Sequence, residues 1–269
     1  MAESRDSNHE PPVLWHIAVS HYNEKARWAL AWKGVEHRRR APVPGAHMAI
    51  AAWLTGGKQV TFPVLEIDGR RIGDSTAIIA ALEELWPDPP LYPADPELRR
   101  RALELEDFFD EELGSHIRQL AWFELGRDRD RFAALMEEAF PAPLARRPGA
   151  AAAVARLYTA LRFRADDAER AEIGRAKVLA ALDRLEAELG DGEYLVGDGF
   201  TVADLTAASL FYPLVLPEEG PLPADQPAAA GFERFRAPLK ERRGFRWVAE
   251  MFRRHREPAR AASTGAAAA

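Results

Sequence analysis

Ser20-His21-Tyr22-Asn23-Glu24-Lys25-Ala26-Arg27-Trp28-Ala29-Leu30 is the stretch that decides the fold. Ahead of it, Val13 to Val19 is a short apolar run with β-branched residues, the pattern of a buried strand. Behind Ser20, Ala26, Ala29 and Leu30 recur at helical spacing over Asn23 to Trp32, and Gly34 stands where that helix would stop. A strand passing through a polar turn into a helix begins an α/β unit. The unit continues with Glu36 to Arg40 as a second strand and a loop over Pro42 to Lys58, with one helical turn around Ala49 to Leu54. Phe62-Pro63 opens a strand from Val64 to Ile67, Asp68-Gly69 forms a two-residue hairpin turn, and Arg70 to Ile72 returns. Asp74-Ser75 then caps an apolar helix running to Trp86.

Pro87, Pro89, Pro90 and Pro93 break the pattern and read as a linker. Beyond it only helices are predicted. Asp95-Pro96 starts one long helix through Leu98, Ala102, Leu105, Phe109, Leu113, Ile117 and Leu120. Others are expected over Arg131 to Ala139, Ala150 to Arg164, Ala168 to Leu189, Phe200 to Leu214 and Phe245 to Arg254, with an irregular segment from Pro217 to Ala230. The expected domains are residues 12–87 (α/β) and 95–257 (all-α), with tails at 1–11 and 258–269 that have little to pack.

The chain has 269 residues, a formal net charge of −6, 47% hydrophobic and 29% charged residues, and no cysteine. That is ordinary globular composition. The missing cysteine rules out disulfides, thiolate metal sites and a cysteine nucleophile. The acidic balance argues against general nucleic-acid binding. No apolar run approaches the ~18 residues of a membrane span, and the polar Met1 to Pro12 lacks the core of a signal peptide. A cytoplasmic protein is expected. No histidine–carboxylate cluster has metal-ligand spacing.

Three motifs together resemble the glutathione transferase family. They are the Ser20 to Leu30 turn, the Phe62-Pro63-Val64-Leu65 and Gly73-Asp74-Ser75-Thr76-Ala77-Ile78 framework, and Val196-Gly197-Asp198-Gly199-Phe200-Thr201-Val202-Ala203-Asp204. The resemblance covers Val13 to His255. It implies a thioredoxin-like N-terminal domain followed by an all-α domain, a homodimer, glutathione as cosubstrate and a small electrophilic acceptor. It also implies a cis Phe62–Pro63 bond, with Phe62 pairing its N–H and C=O with the ligand as an added strand residue would. The competing class is a non-catalytic scaffold that keeps this fold for partner binding.

The site residues follow from the same turn. A helix starting after Ser20 aims free N–H groups and a positive dipole end at the space above it. A hydroxyl donating to a thiolate there adds about 1.5–3 kcal/mol and the dipole roughly 0.3–1, together about two pKa units. Ser20 is the candidate hydroxyl and Tyr22 its rival; the plainer role for Ser20 is a helix cap. Asp74 suits the ligand's ammonium and Ser75 its γ-glutamyl carboxylate at a helix N-terminus, and both also fit a simple cap. Phe109, His116 and Trp122 are candidates for an acceptor pocket, with packing as the alternative. Thr201 to Asp204 reads as a structural capping box.

Overall fold

A computed structural model describes residues 10–43, 45–139, 148–222 and 228–256. The two expected tails fall almost wholly outside those residues. Four strands form one sheet in the order β2-β1-β3-β4: β1 is Val13–Trp15, β2 Arg38–Arg40, β3 Val64–Ile67 and β4 Arg70–Gly73. β1 runs parallel to β2 and antiparallel to β3, with Leu14 opposite Leu65, and β3 and β4 form the hairpin. Asp68 and Gly69 both have positive φ, 48° and 73°, the backbone that a tight hairpin's right-handed twist demands.

Helix α1 (His21–Trp32) and helix α3 (Ser75–Leu85) pack on each other. The apolar run before Ser20 pairs only to Trp15, and residues 16–20 form the loop that delivers Ser20 to the helix start. Between strands β2 and β3 a full helix α2 (Ala46–Thr55) replaces the expected loop with one turn. Gly45 and Gly56 bound it at φ 94° and 62°, and Ala51 and Leu54 bury its inner face with Phe62 and Val64.

The second domain is helical: α4 (Pro96–Phe109), α5 (Ser115–Arg127), α6 (Arg129–Ala139), α7 (Pro148–Phe163), α8 (Ala168–Leu189), α9 (Val202–Val215), a short α10 (Ala230–Arg236) and α11 (Arg243–His255). The long helix expected from Asp95 is interrupted by a π-helical turn, Asp110–Gly114, between α4 and α5. Asp95 caps α4 through the N–H groups of Glu97 and Leu98, with Pro96 in the first turn. The Thr201 box forms as the sequence predicts: the Asp204 carboxylate accepts from the Thr201 N–H and hydroxyl at 2.8 Å each and from the Leu195 N–H at 2.8 Å.

α1 lies between the two domains. Its Trp28 is fully buried against Phe200 and Phe252 and donates from Nε1 to the His255 carbonyl at 3.1 Å. No helix among the described residues is long and apolar enough to cross a membrane.

Candidate active site

The loop before Ser20 is held by buried polar side chains. Arg27, 3% exposed, donates to the Ile17 and Ala18 carbonyls at 3.2 and 2.9 Å and pairs with Glu24 at 2.7 Å. Glu24 also pairs with Arg256 at 2.6 Å. Tyr212 donates from its hydroxyl to the Val19 carbonyl. Asn23, fully buried, accepts from the Ile17 N–H and donates to the Phe62 carbonyl, both at 3.2 Å. Asn23 therefore ties the Ser20 loop to the Phe62–Pro63 bond, which is cis.

Ser20 is the N-cap of α1 in extended conformation (φ −85°, ψ 128°), and its side chain makes no capping hydrogen bond. A serine N-cap ordinarily spends its oxygen on the second or third helical N–H. Here that oxygen makes no capping bond and, among the described residues, has no other partner, at a positive helix end. Tyr22 is placed differently. Its hydroxyl donates to the Asp110 carbonyl at 2.8 Å, and burial pushes its pKa up. His21 donates from Nε2 to the Gly114 carbonyl at 2.8 Å; burial, then Arg118, lowers its pKa to about 3, so the ring is neutral. Both carbonyls belong to the π turn, where the wider winding leaves backbone acceptors free of their ordinary helical donors. Gly114 is required there, because a Cβ would run into the Tyr22 hydroxyl.

Beneath α1, Lys25 is fully buried and bonds Glu106 at 2.8 Å, Asp110 at 2.6 Å and the Thr76 hydroxyl at 2.8 Å. Burial opposes its charge, but Asp110 and Glu106 together outweigh burial and raise its pKa. This network fixes the first turns of α1 and α3 against α4. Asp74 caps α3: Oδ1 accepts from the Thr76 and Ala77 N–H groups at 2.9 and 3.1 Å. Among the described residues Oδ2 has no partner. The φ of Asp74 is 78°, a left-handed value uncommon outside glycine. Ser75 follows at the first helical position, 3% exposed. Asp74 also acts electrostatically on Tyr22, so the starts of α1 and α3 face a common region. Phe62 adjoins it through Asn23, its ring buried at 3% exposure and its carbonyl keeping one lone pair beyond the Asn23 bond. Among the described residues its N–H has no partner.

The three expected pocket residues separate. Phe109 is fully buried and edge-on to Phe211, 6.1 Å between centroids, so it belongs to the core and not to a pocket wall. Trp122 stacks on Phe163, 6.1 Å between centroids and 5° between planes. His116 lines a cavity of about 600 Å³ between α5, α7 and the start of α8. Sequence reasoning did not single out Asn23 as a tether, Arg118 on that cavity, or the Lys25 network.

Residues 14–90 match the domain model "Glutathione S-transferase, N-terminal domain", and residues 132–235 match "Glutathione S-transferase, C-terminal domain". Maleylacetoacetate isomerase of Rattus norvegicus is 36% identical over 92 residues, 33% of this chain and 42% of that protein. The chain thus spans less than half the length of that curated relative. A Methylobacterium radiotolerans glutathione S-transferase, solved in complex with glutathione sulfonate, is 23% identical with a TM-score of 0.53, over 89% of this chain and 95% of that one. A β-etherase from Sphingobium sp. strain SYK-6 is 20% identical with a TM-score of 0.58, over 90% and 99%. These last two establish a shared fold. With both domain models matched in order along it, the chain belongs to the glutathione S-transferase family.

Proposed function

We propose that this chain is a glutathione-dependent enzyme that ionises the glutathione thiol at Ser20 and directs it to a small electrophile. The observation that carries this reading is the contrast between two hydroxyls. Ser20 caps α1 without using its oxygen, while Tyr22 is spent on the Asp110 carbonyl. The γ-glutamyl carboxylate sits at the N-terminus of α3 by Ser75, the ammonium at Asp74 Oδ2, and the cysteinyl backbone against Phe62 beside Pro63. The thiolate then receives the Ser20 hydroxyl and the first N–H groups of α1, which hold the attacking sulfur ionised and positioned. Transfer and isomerisation both use this thiolate, and the isomerase relative makes the second a natural variant. The protein acts in the cytoplasm as a two-fold homodimer with an isologous interface; sedimentation equilibrium that shows only monomer at micromolar concentration overturns the dimer.

The test is calorimetry with glutathione, followed by titration of the bound thiol by its ultraviolet absorbance. Wild type should bind glutathione with a depressed thiol pKa. Ser20→Ala should raise that pKa by one to two units, worth about 1.4 kcal/mol each, and Tyr22→Phe should not. Absence of binding would support the scaffold reading instead.

A further inference from the structure

Among the described residues Arg118 is a guanidinium with no carboxylate partner. It sits on α5 between two rings, 5.6 Å from the Tyr22 centroid and 5.1 Å from that of Phe163. Its Nε is buried with no hydrogen-bond partner, and among the described residues no carboxylate pairs with it. The groups that act on it electrostatically are Tyr22, Arg162 and Tyr158, and burial is the main cause of its lowered pKa. A buried cation without a counterion is costly, and in a cleft it marks a candidate binding group.

The surroundings carry the same sign. Four arginines line the cavity of about 600 Å³, namely Arg118, Arg162, Arg164 and Arg170, against two carboxylates, Asp167 and Glu169. Asp167 is already engaged by Arg164 at 3.0 Å and Arg170 at 3.6 Å, so it does not neutralise Arg118 or Arg162. Arg118 is flanked by aromatic faces, a placement that leaves the edge of its planar fork for bidentate contact with a carboxylate. Through Tyr22, two residues beyond Ser20, it borders the first turn of α1.

We propose that this cavity binds a carboxylate-bearing small molecule, held by Arg118 and attracted by Arg162, and that this anion is the acceptor presented to the thiol. The acceptor role rests on the glutathione reading; the anion site does not. A carboxylate fits the chemistry, because its two oxygens match the planar fork of an arginine.

The probes are 3-nitrobenzoate and its neutral isostere 3-nitrobenzamide, titrated calorimetrically into wild type, Arg118→Gln, Arg118→Lys and Arg162→Gln. Wild type should bind the carboxylate about tenfold more tightly than the amide, and added salt should weaken only the carboxylate. Arg118→Gln should erase the preference, Arg118→Lys should keep part of it, and Arg162→Gln should reduce it. Wild type that binds neither probe, or both equally, overturns the proposal; so does a folded Arg118→Gln that keeps the preference. If Arg118→Gln does not fold, Arg162→Gln and the salt series on wild type decide, and a preference insensitive to both overturns the site. Glutathione titrated into the same samples separates the two readings. Carboxylate binding without glutathione binding keeps the anion site and removes its acceptor role.

Discussion

The amide of Asn23 donates to the carbonyl of Phe62 at 3.2 Å, joining positions 39 residues apart. Its oxygen simultaneously accepts from Ile17 N–H. One side chain thereby sets the spacing between the hydroxyl at Ser20 and the extended backbone beside Pro63. Asn23→Ala would leave the half-buried Ile17 N–H and the buried Phe62 carbonyl without this partner, at about 1–3 kcal/mol. Both the urea midpoint and the glutathione affinity should fall. Unchanged values for both would show that the tether is idle.

Ser20→Cys places a thiol at the start of α1, where thiolates are stabilised. Asn23 occupies the position three residues on, so there is no resolving thiol. The variant should titrate well below the roughly 8.5 of a free cysteine and should accumulate a mixed disulfide when incubated with oxidised glutathione. Mass spectrometry and thiol titration read both. An unmodified thiol with an ordinary pKa would remove Ser20 from the site.

Asp74→Ala and Ser75→Ala should each weaken glutathione binding by about 1–3 kcal/mol, the range for a charged or buried partner left unpaired. Asp74→Ala should also lower stability by roughly 0.5–2 kcal/mol, since it removes the α3 cap. Calorimetry separates the two effects, because Ser75→Ala leaves the cap in place. Wild-type affinity in both variants refutes the assignment.

Acid should unfold the protein in a specific way. His16 and His21 are lowered from 6.5 to about 3, each mainly by burial, then by Arg27 and Arg118 respectively. The unfolded chain binds these protons more readily than the folded one, so the contribution of each ring is intact above pH 6.5 and is lost as pH falls toward 3. The slope per ring is about 1.4 kcal/mol per pH unit. His21→Gln should flatten the stability profile between pH 6 and 4 by about that amount, measured by urea denaturation. Parallel profiles would contradict it.

Local chemistry was legible in the sequence and distant chemistry was not. Asp74 and Thr201 announce their helices because a cap's partners lie two or three residues away. α2 escaped because its limits are two glycines with positive φ and only His47, Ala51 and Leu54 of its ten residues are buried, too few to mark an apolar stripe. The π turn is silent because Leu113 and Ile117 keep helical spacing across it. The choice between Ser20 and Tyr22 depends on a carbonyl 88 residues from Tyr22, which no local pattern contains. Arg118 looked like any arginine on a polar helix face; its isolation comes from the rings of α1 and α7 around it.

The bonds from Trp28 to His255 and from Glu24 to Arg256 have a consequence for biosynthesis. Trp28 and His255 lie 227 residues apart and Glu24 and Arg256 lie 232 apart, so both clamps leave the ribosome long after the Ser20 turn. At about 5–20 residues per second, translation alone separates them by on the order of tens of seconds. A nascent chain stalled before position 255 therefore carries every side chain of the turn but lacks two of its clamps.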